Sequence, residues 1–417
     1  MTLQFIELST ESYADFESKH VLGTYTQSIA QYQLLLKRGH KAFLVGVTDN
    51  NGVVAAALVT TEITRLGPAF LFDRGPLLDF HNKRLLNFFV NESRKFAKQH
   101  GALYMKWEPN VTYVKTDNKG NLLEVPNDNF LSLMVQQNFE HEPFEFGMST
   151  TGSPSWEYVK NLSGLVDSQS IDKTYSKNVQ YYLKKNKQFG IQLRQLSRKD
   201  LPSFKKLTQK TAERLNYHDK SLDFYETVYD TYGDQATFVF AELNFEKYIT
   251  SENQKIIALD QKLAKLQEKI DKYPKLEKFK RQYFEFDDQK KHHVKRSNVA
   301  TTQMADAGIN VVTVAGALFI EQPQEVTYLY SGTYEEYMAY YGPYQIQDMM
   351  IKKAANDGIK QYNFYGISGR FDGSDGVLGF KTAFEGEARQ LVGQFILPVK
   401  PLKYKIYRLL KKITGRN

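Results

Sequence analysis

Cysteine is absent from the 417 residues, which excludes a disulfide, a thiolate nucleophile and any cysteine-ligated zinc. A reducing cytoplasm is the simplest compartment for such a chain. No run of about 18 apolar residues occurs, so no membrane-spanning helix is expected. The start, MTLQFIELSTESYADFESKH, is acidic and lacks the basic opening and apolar stretch of a signal peptide, so we expect no export. Acid is missing locally as well: KPLKYKIYRLLKKITGR, Lys400 to Arg416, contains neither Asp nor Glu. That tail reads as a solvated basic segment, or as one that binds RNA or anionic lipid headgroups. A second basic run spans Lys173 to Lys199. The whole chain carries 55 Lys+Arg against 47 Asp+Glu, a net +8 that leans mildly toward anionic partners.

Aromatics are plentiful. Tyr and Phe number 27 and 28, enough for flat-walled polar clefts as well as packed cores. The length predicts two or three domains.

The same order of elements occurs twice. AFLVGV (42–47), VVAAALVTTEIT (53–64) and AFLFDRG (69–75) read as strands, followed by a helix near Asn82 to Lys98 and the strand ALYMKW (102–107). ATFVFAEL (236–243), INVVTVAGALFIEQ (309–322) and EVTYLYSG (325–332) repeat the pattern, with a helix near Tyr344 to Asn356 and the strand KQYNFYG (360–366). Helical sequence precedes each set, at Gln27 to Arg38 and Leu201 to Tyr232. We expect an α/β (α+β) fold of two acetyltransferase-like subdomains with a cleft between them. Subdomain A would span 1–150, subdomain B 151–244 and 307–398, and the basic tail 399–417.

An inserted segment, 245–306, breaks the second set. Ile249, Ile256, Leu259, Leu263, Leu266 and Ile270 follow heptad steps, and Leu276, Phe279, Tyr283 and Phe286 resume them after Pro274. Proline blocks a continuous helix, so two antiparallel helices forming a coiled-coil arm are expected. The arm could serve dimerisation or structure, or it could reach a bulky partner. Lys275, Lys278, Lys280, Arg281, Lys290, Lys291, Lys295 and Arg296 make RNA conceivable as that partner.

The stretch YNFYGISGRFDGSDGVLGFKTAFEG (362–386) runs an aromatic strand into glycines at 366, 369, 373, 376 and 379 and ends on Lys381 between Phe380 and Phe384. Such a segment reads either as a long surface connection or as a loop free to take positive φ and hold a ligand.

The motifs together resemble the FemABX family of non-ribosomal peptidyl aminoacyltransferases, of the type with a helical-hairpin arm. They are YTQS with LLLKRG, FDRGPLLD at 72–79, the insertion after AEL, VTYLYSGT at 326–333, and YNFYGISG with GFKTAF. The resemblance implies transfer of an amino acid from aminoacyl-tRNA to the stem-peptide lysine amine, or a growing bridge, of a peptidoglycan precursor. The precursor would be lipid-linked or a soluble nucleotide form, and no dissociable cofactor is implied. Peripheral contact with the inner membrane leaflet would suit a lipid-linked acceptor.

Attack of a neutral amine on an activated ester needs oxyanion stabilisation and proton delivery to the departing ribose oxygen. Lys381 is the candidate for both roles, and by resemblance Phe380 and Lys381 lie near the tRNA acceptor end, with Tyr365 on the adjoining aromatic strand. Glu108, just past the strand ALYMKW, is a candidate base or amine-positioning group; the sequence has WEP where similar proteins carry an IDP-like triplet. The resemblance also allows substrate-assisted proton transfer, with no enzymic base.

For the precursor's pyrophosphate, Lys37 matches the family's phosphate-gripping position and Arg38 adjoins it, although a Lys-Arg-Gly helix end also reads as an ordinary cap. Arg74 binds an anion or pairs with Asp73 or Asp79. Thr211, Arg214 and Tyr217 fall where related enzymes contact phosphates or stem peptide. Tyr328 and Tyr330 alternate on a strand and should face one side, as cleft wall or core.

Two rival readings remain. A CoA-dependent N-acetyltransferase needs a glycine-rich pyrophosphate loop, which FDRGPLLDFHNKR and YSGTYEEYMAYYGPYQ lack. A non-enzymatic RNA-binding scaffold would use the arm but leaves the glycine-rich segment unexplained.

Overall fold

The structure, a computed structural model, describes residues 2–144, 146–147, 152–165 and 167–413. The expected subdomain cut at 150/151 and the last four tail residues lie outside them.

The chain begins with β1 (Gln4–Glu7), α1 (Thr10–Lys19), a 3-10 turn at Tyr25–Gln27 and α2 (Ile29–Lys37). Next come β2 (Ala42–Asp49), β3 (Gly52–Thr64) and β4 (Gly67–Arg74), then α3 (Lys83–Gln99) and β5 (Tyr104–Pro109). Residues of α3 at helical spacing, Leu86, Phe89, Val90 and Ala97, are buried against this sheet. β6 (Thr112–Thr116), α4 (Asp128–Gln136) and β7 (Glu140–His141) complete the first half.

The second half opens with β8 (Trp156–Asn161), α5 (Ser168–Lys173), α6 (Lys177–Phe189) and β9 (Gln192–Gln195). α7 (Leu201–Leu215) and α8 (Leu222–Tyr232) divide the expected helical stretch where Asn216 turns left-handed (φ 55). β10 (Ala236–Asn244) leads into α9 (Phe245–Lys272) and α10 (Glu277–Ala307), then β11 (Val311–Glu321), β12 (Glu325–Thr333), α11 (Gly342–Asn356) and β13 (Gln361–Ile367). The chain closes with α12 (Gly376–Thr382), β14 (Glu387–Leu391), β15 (Phe395–Pro398) and α13 (Pro401–Ile413).

Two sheets result, in the orders β1-β2-β3-β4-β5-β15-β7 and β6-β14-β8-β13-β12-β11-β10-β9. In each, three antiparallel strands meet a parallel neighbour across a helix: β4 beside β5, and β12 beside β13. The halves also exchange strands. β6 pairs with β14 in the second sheet, and β15 pairs with β5 in the first, so sheet membership crosses the expected cut in both directions.

α9 and α10 form the arm, broken at Pro274. At 28 residues, α9 extends about 42 Å. Leu259, Leu263 and Leu266 are buried between the helices. Leu276 is not: it precedes α10 and is exposed, because it falls in the hairpin turn. The expectation of free glycines needs a second correction. Only Gly369 and Gly373 of the five take positive φ (70 and 85). The others fall in β13 or α12, where hydrogen bonding sets ordinary dihedrals.

Candidate active site at the seam of the two sheets

β4 and β5 run parallel, with Asp73 opposite Glu108 and Arg74 opposite Pro109. Their carboxyl ends therefore present two acids side by side, at the kind of strand end where α/β proteins gather ligands. Glu108 is buried and ion-paired with Lys106 Nζ at 2.7 Å; two residues apart, both project from one face of β5. Asp73 accepts a hydrogen bond from Ser153 Oγ at 2.8 Å. Burial, then the charge of Glu108, push its carboxyl up to about 6, against the pull of Arg74 and Lys106.

Arg74 turns the chain at φ 55 and sends its side chain across the seam. Its Nη2 donates to Glu157 Oε1 at 2.9 Å and to Pro154 O at 2.5 Å. This corrects the expected pairing with Asp73 or Asp79. The partner sits on β8, 83 residues away, and no local reading reaches it. Glu157 also accepts from Arg389 Nη2 (2.7 Å) and Asn363 Nδ2 (3.2 Å). Glu325 accepts from Gln361 Nε2 (2.7 Å) and from Thr24 Oγ1 of the first half (3.3 Å). Burial would raise Glu157, but Arg389 and Arg74 outweigh it and hold the carboxyl below its usual range. Two arginines and two glutamates thus join the halves in a buried network, whose charges are tolerated only because each is paired.

β13 carries the link to the glycine-rich segment. Its pairing with β8 slips between Asn363 and Gly366, and Tyr365 occupies the left-handed region at φ 67. Asn363 Oδ1 accepts the Tyr365 N–H at 2.7 Å and holds that conformation. The Tyr365 hydroxyl meets the Tyr25 hydroxyl at 2.8 Å, and burial pushes it up to about 12 against the opposing charge of Arg74. On its other side, Tyr365 offers its carbonyl to Lys381.

Lys381 is not on a loop. It lies on α12, which Asp375 caps by accepting N–H bonds from Val377 and Leu378, both at 2.9 Å. The ammonium points inward, donating to Gly366 O at 2.5 Å and Tyr365 O at 3.3 Å, and only 4% of the residue is exposed. Burial draws its pKa down to about 7, with Asp375 and Glu157 opposing. Near neutrality this lysine can therefore both give and take a proton. Phe380, half-buried, leaves the other side of α12 and packs edge-on against Tyr344 at 5.0 Å.

The remaining expected residues divide. Arg38 pairs with Asp223 at 2.8 Å and lies over the Phe224 ring at 5.4 Å, while Lys37 stands exposed beside it. Phe224 contacts Tyr330 (5.8 Å), and Tyr330 lies within electrostatic reach of Tyr365. Arg38, Tyr330, Tyr365, Arg74 and Glu108 thus follow one another along the seam. Tyr328 and Tyr330 do not share a side. β12 bulges between them, with Tyr330 opposite Leu318, Tyr328 opposite Phe319 and Leu329 unpaired. Tyr328 accordingly stacks on Phe319 (5.4 Å), whereas Tyr330 packs on Phe224 and Tyr225. Thr211 fastens α7 to β12, its hydroxyl accepting the Thr333 N–H at 3.0 Å. Arg214 is exposed and donates to Met338 Sδ at 3.2 Å; Tyr217, 48% exposed, lies near both Arg214 and Asp219.

Sequence reasoning missed Asp73, Lys106, Tyr25, Glu157, Asn363, Glu325 and Arg389. Asp73, one residue before Arg74 at the end of a strand parallel to β5, had a local signal, and Tyr25, Lys106 and Asn363 fall inside the stretches YTQS, ALYMKW and YNFYGISG. Glu157, Glu325 and Arg389 are brought in only by long-range pairing.

Comparison with known proteins decides the family: the model of the FemAB family matches residues 8–412. The chain belongs to the FemAB family. Among curated relatives, Aminoacyltransferase FemA of Staphylococcus epidermidis (strain ATCC 35984) is 30% identical over 420 residues, covering 99% of this chain and 100% of the relative. Aminoacyltransferase FemA of Staphylococcus aureus (strain N315) is 30% identical over 436 residues, with the same coverage. The crystal structure of FemX superposes with a TM-score of 0.77 at 18% identity, covering 97% of this chain and 100% of that one, and shows the shared fold. This FemAB chain is an aminoacyltransferase, built as two mixed sheets flanked by helices with an inserted helical-hairpin arm.

Proposed function

We propose that the chain transfers Ala, Ser or Gly from aminoacyl-tRNA to the stem-peptide lysine amine, or a growing bridge, of a lipid-linked peptidoglycan precursor. The amine nitrogen attacks the ester carbonyl carbon, an amide forms, and the bond to the tRNA ribose oxygen breaks. The net reaction moves one proton from the amine to that oxygen: the carboxylates take one, Lys381 gives one, and passage of a proton from the carboxyl back to the neutral Lys381 amine restores both groups. Lys381 stabilises the oxyanion and supplies the leaving-group proton; the Asp73–Glu108 pair orients the amine and accepts its proton. Phe380 and Lys381 meet the acylated tRNA end, while Lys37, Arg38 and the exposed Arg214 and Tyr217 receive the precursor's phosphates and peptide. The enzyme works at the cytoplasmic side, where aminoacyl-tRNA is available.

One observation carries this reading: the Lys381 ammonium and the paired carboxylates flank Tyr365 and Arg74 at a single seam. Radiolabelled Ala, Ser and Gly on cognate tRNAs, offered with lipid-linked and soluble precursors, test it. Label should appear on the precursor with at least one donor. Absence of transfer with all three, on both acceptors, would sink the proposal.

A further inference from the structure

We infer that α13 is an interfacial helix that seats the protein on an anionic lipid bilayer. One face of α13 is fastened to the first sheet. Tyr404 is buried among Leu103 and Ile396 and packs on Tyr104 at 5.1 Å, Tyr407 approaches Tyr104 at 6.0 Å, and Arg408 Nη1 pairs with Glu140 at 2.7 Å. The opposite face carries Leu402, Ile406, Leu409 and Ile413, which are 79, 53, 59 and 72% exposed. Their spacing of four, three and four residues makes one apolar stripe pointing directly away from the protein. At 100° per residue, Lys403 borders this stripe on one side and Lys405 and Lys412 on the other, all three exposed. The β3–β4 hairpin packs Leu66 into the Tyr404 cluster.

The chemistry selects the occupant. An apolar stripe edged by lysines, with no acid from 399 to 417, matches the acyl and headgroup layers of an anionic bilayer in turn. RNA would satisfy the lysines but gains nothing from exposed Leu and Ile. A second copy packing stripe to stripe would bring Lys403, Lys405 and Lys412 toward their own counterparts, since a two-fold contact pairs a surface with itself. α13 lies by Tyr104, at the amino end of β5, and Glu108 is four residues further along that strand. The inference does not depend on the transfer reaction.

Full-length protein is floated with vesicles of equal phosphatidylglycerol and phosphatidylcholine, with phosphatidylcholine vesicles as the comparison and no precursor in either. Binding should favour the anionic vesicles and weaken at high salt. Leu402→Gln/Ile406→Gln/Leu409→Gln and, separately, Lys403→Gln/Lys405→Gln/Lys412→Gln should each reduce it at least about tenfold with unchanged thermal unfolding. Leu409→Trp adds a reporter to a chain whose native tryptophans, Trp107 and Trp156, are buried, and its emission should shift to the blue on anionic vesicles. No binding by the parent chain, undiminished binding by the apolar triple variant, or an unshifted emission from the Leu409→Trp variant would overturn the inference. A concentration-dependent dimer abolished by the same apolar changes, without vesicle binding, would assign the stripe to a second copy instead.

Discussion

In the proposed reaction Lys381 has a cation's task in an environment that weakens the cation. Because its folded pKa lies near 7, below the ordinary 10.5, the protonated fraction falls as pH rises through neutrality. If the charged form stabilises the oxyanion, turnover should decline above about pH 7. Lys381→Arg, charged throughout, should carry that limb upward, and Lys381→Ala should lower turnover by about 10²; a pH–rate profile of each variant checks this. The unfolded chain binds this proton more firmly, so the group's contribution to stability rises with pH between about 7 and 10.5. Asp73 has the opposite sign. Its folded pKa of about 6 exceeds the ordinary 3.8, so its contribution is fully present below 3.8 and lost as pH climbs through 6. Asp73→Asn should therefore gain up to about 3 kcal/mol relative to the parent at pH 8, and little at pH 4, in urea titrations. Transfer by this variant should fall even so, because the oriented amine loses its carboxylate. Lys381 itself was legible from Phe380–Lys381 in GFKTAF. Its burial was not, because the carbonyls that hold it belong to a bulge in another strand.

The glycine-rich segment shows how far local reading extends at the scale of elements. Composition suggested one flexible loop, yet the chain forms a turn and then α12. Gly369 sits at φ 70, and an added Cβ would lie 2.5 Å from the Trp156 ring. Gly379 lies within α12, with nothing within 4 Å of that position. Gly369→Ala should cost about 2 kcal/mol or more, whereas Gly379→Ala should be neutral or stabilising by up to about 1 kcal/mol, in thermal or urea unfolding. The arm was legible nearly residue by residue, because heptads and one proline are local signals. Asn244 and Val311 are paired neighbours, so a short turn can rejoin β10 and β11, although the deletion also takes Phe245, Tyr248 and Ala300 out of the second half's core. Without 245–306, transfer from whole tRNA should fall far more than transfer from a short acylated acceptor analogue. Equal loss with both donors would give the arm a structural role.

For the whole molecule, the doubled order of strands was readable because each strand and helix announces itself within a dozen residues. Exchange of β6 and β15 between the sheets was not, since it depends on pairings across more than 270 positions, such as Lys115 with Arg389 and Trp107 with Phe395. The buried Arg74–Glu157–Arg389–Glu325 network escaped for the same reason, although it is what fixes the two halves around the seam. That seam is the centre of the functional account, and one assay addresses it directly: transfer of labelled amino acid from aminoacyl-tRNA to the ε-amine of the stem-peptide lysine on lipid-linked precursor. The account predicts a new amide that requires the RNA ester and is reduced about 10² by Lys381→Ala. Failure of Ala, Ser and Gly donors alike, or saturable binding of CoA with acetyl transfer in their place, would contradict it.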